Sequence, residues 1–414
     1  MKKCLLLLAA SLGLVLQLRA DIVQGTCGDG VIYIYDDDNR KMLISGNGPM
    51  YDYDQYNVGP FYPLSHHMKI LVIEHGVTHI GNRAFWGCYS LNGHISLPMS
   101  VTSIGSEAFY GCNYFTSLEM SPCVVTIGDN AFASCSGLEG NLVLSDCLES
   151  IGEGAFSGCK KFTGDLVIPN SVKSIGRNAF AGCEGFNGKL VLGSSLESIG
   201  EYAFAASNFI GELSIPSSVT KIGRYAFDGA KGFVGGIVVP EGVTEIEDGT
   251  FRSCSGITSV TLLGQVSRLG NSAFSNCSAL TEMVCYSTTP PDATYYTFDN
   301  TPLKTIYVPS ESLDLYKSTI IWKDYEILPI GGNGIDKHDY DNLINVFLQD
   351  YVLRISVGEG CLRGATIVNM SGGEVLSCET KASAMTLDVS SIPSGVYLIV
   401  VDVDGIQYSY KIRW

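Results

Sequence analysis

The sequence predicts a repeat solenoid, a parallel β-sheet linked by short helical turns, followed by a small β-sandwich at the C-terminus. The first observation is a phrase of Ile-Gly, three more residues, Phe and then Cys, as in Ile80-Gly81…Phe85…Cys88 and Ile104-Gly105…Phe109…Cys112. Its phenylalanines fall at 85, 109, 132, 156, 180, 204, 227, 251 and 274, with a degenerate tenth at 298, so every step is 23 or 24 residues. A fixed period in the twenties marks coils that bury their apolar faces only against one another. The second observation is an apolar-x-apolar pair opening each coil, such as Leu142/Leu144, Leu166/Ile168 and Leu190/Leu192. That alternation is a strand with its apolar side chains turned inward. The third is a change of texture beyond residue 335, where the period is lost and short strand-like runs follow one another.

Residues 1–20 read as a secretory signal: a basic start at Lys2-Lys3, an apolar run from Cys4 to Leu16, and a cut after Ala20. The run is too short for a permanent membrane span, and no later stretch qualifies. Residues 21–67 form an N-terminal cap. In it Val31–Tyr35 and Met42–Ser45 flank the polar turn Asp36-Asp37-Asp38-Asn39 as a β-hairpin, and the aromatics Tyr51, Tyr53, Tyr56, Phe61 and Tyr62 follow. The solenoid runs over 68–308 in about ten coils; at roughly 4.8 Å per coil its apolar-x-apolar strands make one sheet about 50 Å long. Prolines such as Pro98, Pro169 and Pro216 end the strands, and the Ala-Phe stretch after each Ile-Gly is the expected helical turn. Residues 309–335 hold a capping helix around Ser312–Lys317 and a glycine linker, Gly331-Gly332-Asn333-Gly334. Residues 336–414 supply the sandwich, with strands at 351–357, 365–370 and 395–401 and a final strand after the Asp404-Gly405 turn.

The formal charge of −16, with no basic cluster beyond the first residues, makes nucleic acid and anionic membranes poor partners. Without Lys2, Lys3 and Arg19 the chain keeps 23 basic against 42 acidic side chains, a charge of −19. Fourteen cysteines in an exported chain ordinarily suggest a disulfide framework. Here seven of them, Cys88, Cys112, Cys135, Cys159, Cys183, Cys254 and Cys277, occupy one repeat slot, which Ser207 and Ala230 fill in two other coils. Stacked coils place equivalent atoms about 4.7–4.9 Å apart, whereas bridged Cβ atoms want about 3.5–4.5 Å. The slot therefore reads as a buried ladder of free thiols. Cys123 with Cys147, and Cys361 with Cys378, are left open as pairs.

The unit Leu166-Val-Ile-Pro-x-Ser-Val-x-x-Ile-Gly-x-x-Ala-Phe-x-x-Cys183 resembles the BspA-type leucine-rich repeat of bacterial and protozoan surface proteins. Gly25-Thr26-Cys27-Gly28 and Tyr316…Trp322-Lys323 resemble the flanks of such arrays, so the resemblance covers about residues 25–330. It implies an adhesin or interaction protein that binds host proteins without catalysis. The stretch Ile392-Pro393-Ser394-Gly395-Val396-Tyr397 through Arg413 resembles the sorting domain of the type IX secretion system. That resemblance implies export to the medium or outer surface of a Gram-negative bacterium, or a structural module of the same fold.

Catalytic, metal and cofactor sites are not expected. His75 and His79 lie across a strand and turn, where a four-residue spacing does not converge on a metal. His66-His67 at the cap boundary carry no further ligand pattern. The acidic turns at Asp36–Asn39 and Asp52/Asp54 lack the glycine and distal Glu of a calcium loop. No Ser-His-Asp or Cys-His grouping is expected. Binding is expected on the outward positions of the apolar-x-apolar strands: Asn141, Val143, Asp165, Val167, Lys189, Val191, Glu212 and Ser214. There a β-branched stripe lies beside variable polar residues; strand propensity alone also accounts for valine at such positions. The partner expected is a host matrix or surface protein. The alternative is a glycan, held by N-terminal aromatics such as Tyr51 and Tyr53 in an accessory protein. Oligomeric state is not legible.

Overall fold

The computed structural model describes residues 22–330, 344–349, 351–357, 361–369, 373–393, 396–404 and 406–413. The proposed signal at 1–20 and the Gly331–Gly334 linker lie outside the described residues. Residues 41–330 wind as a parallel β-solenoid, and residues 344–413 form antiparallel sheets.

The Ile-Gly phrase fixes the height of each coil. At Gly105, Gly128, Gly152, Gly176, Gly200, Gly223 and Gly270 an added Cβ would meet the backbone of the preceding coil at 2.5–2.6 Å. These glycines serve close approach; their neighbours are main chain, which cannot give way. The approach lets the glycine N–H donate to the carbonyl of the preceding coil, as Gly176 to Ile151 at 2.8 Å and Gly200 to Ile175 at 2.8 Å. The result is an eight-stranded parallel ladder of very short strands, from Gly48–Pro49 to Lys221–Ile222. It contains Ser103–Ile104, Thr126–Ile127, Ser150–Ile151, Ser174–Ile175 and Ser198–Ile199.

This corrects the expected place of the long sheet. The apolar-x-apolar strands pair only in islands: Asn92–Ser96 with Tyr114–Glu119, Leu166–Val167 with Leu190–Val191, and a five-stranded group from Gly235–Val239 to Glu326–Pro329. Among the described residues, the main-chain groups of Leu142–Leu144 and of Glu212–Ile215 make no hydrogen bond. Inward burial of Leu142, Leu144, Leu213 and Ile215 holds those stretches in place.

The Ala-Phe stretch is also not a helical turn. It is a run of linked β-turns in which alternate N–H groups point to different partners. In the first coil Ala84, Trp86 and Cys88 donate within the coil to Gly81, Arg83 and Phe85, at 3.1–3.2 Å. Arg83, Phe85 and Gly87 donate across to Ser106, Ala108 and Tyr110, at 2.8–2.9 Å. A helix would spend every N–H inside its own coil and leave none to bond the next. The linkage requires left-handed residues at two points per coil, such as Arg83 (φ 53°) and Gly87 (φ 66°).

Inside the coils the phenylalanines form one continuous stack. It begins at Phe61 in the N-terminal segment and runs through Phe85, Phe109, Phe132, Phe156, Phe180, Phe204, Phe227, Phe251 and Phe274 to Phe298. Ring centroids are 4.9–5.8 Å apart and planes within 1–12° of parallel. Such contacts contribute about 0.5–1.5 kcal/mol each beyond area burial. Edge-on rings close both ends, Tyr33 against Phe61 and Tyr325 and Trp322 against Phe298. The N-terminal segment lacks the repeated phrase yet follows the coil path. Lys41–Gly46 pairs in parallel with Ile70–Ile73, and Gly48–Pro49 with Val77–Ile80. The hairpin Val31–Asp36/Lys41–Gly46 has the expected turn, with Asn39 donating to the Asp36 carboxylate. At the other end the helix Leu313–Ser318 brings the Tyr316 hydroxyl to Ser287 O at 2.8 Å, while Trp322 donates to Pro291 O at 2.8 Å.

The thiol column is free and buried. It is more than a slot for small side chains. Cys112, Cys135, Cys159, Cys183, Cys254 and Cys277 each point Sγ at the phenylalanine carbonyl of an earlier coil, at 3.1–3.3 Å. Ser207 donates instead to Phe204 O of its own coil, at 2.6 Å. Cys123, Cys147, Cys361 and Cys378 are free as well and lie nearer the surface.

In the C-terminal unit, Ile344–Gln349, Val352–Val357 and Ala384–Asp388 form one antiparallel sheet. Glu374–Ala382, Leu362–Asn369, Val396–Val403 and Ile406–Arg413 form another. Leu353, Ile355 and Leu387 from the first share one core with Leu362, Ile367, Ile399 and Val401 from the second, which makes it a sandwich. The strands Glu374–Ala382 and Ala384–Asp388 were not legible from the sequence.

Two outcomes follow from this packing. Gly176→Ala has no space for its methyl group, and should lower unfolding stability by about 1–3 kcal/mol, read by chemical denaturation. Burial pushes Cys135, Cys183 and Cys277 up to about 12 from 9.0, so the fold holds the thiol form. Their contribution is complete below pH 9 and is lost as pH rises toward 12. Labelling of the native protein at pH 8 should modify Cys123, Cys147, Cys361 and Cys378 and spare the column; rapid modification of Cys135 or Cys183 would contradict the packing.

Candidate interaction surface

Within the paired islands the outward side chains of the apolar-x-apolar strands lie in register from coil to coil. Leu166 pairs with Leu190 and Val167 with Val191; further on, Val238 pairs with Thr261. Val143 is 71% exposed, Val167 52% and Val191 44%, so these three form a ridge of apolar side chains on adjoining coils. Ser214 continues the row, exposed, before Val238.

The polar half of the expected site has a scaffold role too. Each of these side chains covers the glycine that starts the next coil. A Cβ on Gly164 would lie 2.4 Å from Asn141 Oδ1, and one on Gly188 2.2 Å from Asp165 Oδ1. Glu212 runs along Gly235, with Cγ 3.6 Å from the same point, and Lys189 Cγ lies 3.9 Å from that of Gly211. Asp165 Oδ1 also accepts the Lys189 backbone N–H at 2.7 Å. Asn141, Asp165, Lys189 and Glu212 are therefore an edge leaning across coil junctions, while Val143, Val167, Val191 and Ser214 have their outward sides free.

Two neighbouring features were not anticipated. Across the second and third coils His94 bridges Ser117 Oγ (2.8 Å) and Glu119 Oε2 (3.3 Å), and Ser96 donates to the same carboxylate at 2.8 Å. These hydrogen bonds hold the Glu119 carboxyl below its ordinary range, Ser96 contributing most. A histidine facing Ser and Glu at equivalent positions one coil later was the available sequence signal. Beside the row, a groove of about 610 Å³ is lined by Thr116, Ser117, Glu139, Gly140, Lys161, Thr163 and Gly185.

A Ser-His-Asp grouping, not expected from sequence, is present. His79 Nδ1 lies 2.7 Å from Ser103 Oγ, and Nε2 lies 3.2 Å from Asp52 Oδ1. The surrounding main chain is committed elsewhere: Gly105 N–H to Ile80 O, Ser106 N–H to Asn82 Oδ1, and Asn82 N–H to Asp52 itself. An acyl-transfer serine needs free donors for a developing oxyanion. Ser103 also occupies the same ladder position as Ser150, Ser174 and Ser198. The grouping ties the N-terminal segment to the first two coils. Among the described residues no cluster of three or more His, Cys, Asp or Glu is arranged to hold a metal.

The aromatics proposed for glycans are placed differently from one another. Tyr53 is buried, and Tyr51 is spent on Asp29 through a 2.7 Å hydrogen bond. Tyr56 is 90% exposed at a cavity of about 340 Å³ lined by Tyr53, Asp54, Gln55, Asn82, Arg83, Ser106 and Glu107. Tyr62, Trp86 and Tyr110 stack in sequence, with the Arg83 guanidinium over the Trp86 ring.

No helix among the described residues is long and apolar enough to cross a membrane. No curated protein matches the chain. Among solved structures it is similar to a leucine-rich repeat protein from Eubacterium ventriosum, at 22% identity over 75% of this chain and 86% of that one, TM-score 0.46. It is also similar to a leucine-rich repeat protein from Bacteroides ovatus (21%, 74% and 97%, TM-score 0.46). A third is a leucine rich cell surface protein from Faecalibacterium prausnitzii (21%, 76% and 98%, TM-score 0.39). Residues 350–413 match the secretion system C-terminal sorting domain, which indicates export. The BspA type leucine rich repeat region matches in six copies over 60–187, 140–232 and 197–320. With coils, stacked core and repeat in agreement over most of its length, the chain belongs to the BspA-type leucine-rich repeat family.

Proposed function

We propose that this is an exported, surface-displayed adhesin that binds a host matrix or surface protein and carries out no catalysis. The observation that supports this reading best is the ridge of Val143, Val167 and Val191. All three are exposed apolar side chains at the same repeat position, and Val167 and Val191 are paired in register. Contacts on a partner would bury the ridge, with Asn141, Asp165, Lys189, Glu212 and Ser214 as its polar rim. The charge of −16 favours a partner with a basic face. Residues 350–413 would direct display.

The test is binding of the mature chain to a panel of matrix proteins. Val167→Lys should weaken the strongest interaction at least tenfold, about 1.4 kcal/mol, with the melting temperature unchanged. A flat panel, or a Val167→Lys variant that binds as before, would overturn the reading. The exposed Tyr56 ring beside Asp54, Gln55 and Arg83 supports a second reading, a saccharide held by stacking and planar hydrogen-bonding groups. Glycan-array signal lost in Tyr56→Ala and retained in Val167→Lys would favour it.

A further inference from the structure

Among the nine coils from Phe85 to Phe274 one breaks the glycine rule; the degenerate tenth carries Thr294 at that position, its N–H donating to Thr297 Oγ1. The position held by Gly223 in one coil and Gly270 two coils later is Glu247 in between. From the second phrase on, the equivalent glycine N–H groups donate to the preceding coil: Gly105, Gly128, Gly152, Gly176, Gly200, Gly223 and Gly270, at 2.7–2.9 Å. Among the described residues, Glu247 N–H makes no such bond to Ile222 O. Three residues earlier the same break recurs. Thr220 N–H donates to Glu197 O at 2.9 Å and Ser267 N–H to Thr244 O at 2.8 Å, but Thr244 N–H does not reach Thr220. The eight-stranded ladder stops at Lys221–Ile222, and Glu245–Ile246 pairs only with Arg268–Leu269.

The cause is steric. At Gly223 and Gly270 a Cβ would sit 2.5 Å from the main chain of the coil before, so a residue that has a Cβ must hold its coil away. In the second strand row the two coils are joined at the same place only by the isolated bridge of Gly211 with Phe233, where Gly211 N–H donates to Gly232 O at 3.2 Å and Val234 N–H to Gly211 O at 2.9 Å; Glu212–Ile215 bonds to neither Leu190–Leu192 nor Ile237–Val239. The turn face stays closed: Tyr225, Phe227 and Gly229 donate to Asp248, Thr250 and Arg252 at 2.8–3.0 Å. Arg252 also forks onto Asp228, at 2.6 and 2.8 Å. Across the open edge stands the Glu247 carboxylate, 3.6 Å from Arg224 of the earlier coil and 3.5 Å from Arg268 of the later one.

We propose that the solenoid is hinged between the coil of residues 213–230 and the coil of residues 237–254. It opens along the Ile-Gly edge, pivots on the turn face, and is latched by Glu247 to Arg224. The row Asn141–Ser214 lies wholly on one side of this seam, so the hinge lets the later coils tilt relative to it.

Amide hydrogen exchange on the full mature chain, resolved to single residues, tests the hinge. In the unaltered protein Thr244 and Glu247 should exchange at least tenfold faster than Thr220, Gly223, Ser267 and Gly270. Glu247→Gly removes the Cβ and should slow exchange at Thr244 and at position 247 at least tenfold. Glu247→Ala keeps the Cβ and loses the latch, so exchange there should be as fast as in the unaltered protein or faster. Equal protection of Thr244 and Ser267 in the unaltered protein would overturn the proposal. So would a Glu247→Gly variant that exchanges no more slowly, or a Glu247→Ala variant as protected as Glu247→Gly.

Discussion

Everything in the solenoid depends on main chain meeting main chain at the glycine of each Ile-Gly pair. From Gly105 on, where no Cβ intervenes the glycine N–H reaches the preceding coil at 2.7–2.9 Å, and this sets the rise of one coil on the next. The phenylalanines then stack at 4.9–5.8 Å, and the cysteine thiols come within reach of carbonyls a coil away. A wider rise would separate the rings and leave those carbonyls without their second donor. The repeated letters are therefore coupled: Gly sets the spacing, Phe fills it, and Cys satisfies a carbonyl that the spacing brings close.

The period and the inward residues were legible because burial against a neighbour tolerates few side chains at Ile175, Phe180 or Cys183. The thiol ladder was legible for the same reason, since Ser207 and Ala230 share its slot. The long sheet was misplaced because two-residue strands such as Ser174–Ile175 leave no alternation to read, whereas Leu166/Ile168 does. Ala-Phe with small neighbours fits a helical turn and a run of β-turns alike; what decides between them is where alternate N–H groups go, which is a property of the stack. Phe61 was not seen as the first ring because its coil has no Ile-Gly phrase. His79 could not be joined to Asp52 and Ser103 because the three lie on consecutive coils, and only the rise between coils brings them together.

The proposed function rests on what the stack leaves over. The expected polar residues Asn141, Asp165, Lys189 and Glu212 prove to be partly structural, each covering a glycine at a coil junction. The valines beside them have no such duty. The proposed partner would be recognised there by shape and apolar contact, with charge guiding approach. The His94–Glu119 network likewise ties two coils together: His94 and Ser96 both reach Glu119 Oε2, and His94 also reaches Ser117.

The most direct test of the glycine constraint is a high-resolution crystal structure of the chain, read for coil-to-coil spacing along the Ile-Gly column. The account predicts a uniform rise of about 4.8 Å wherever glycine faces glycine. It predicts one wider step between Gly223 and Glu247, with no hydrogen bond from Glu247 N–H to Ile222 O. A rise at that step equal to the others, with the hydrogen bond made, would show that the absent Cβ does not set the stack.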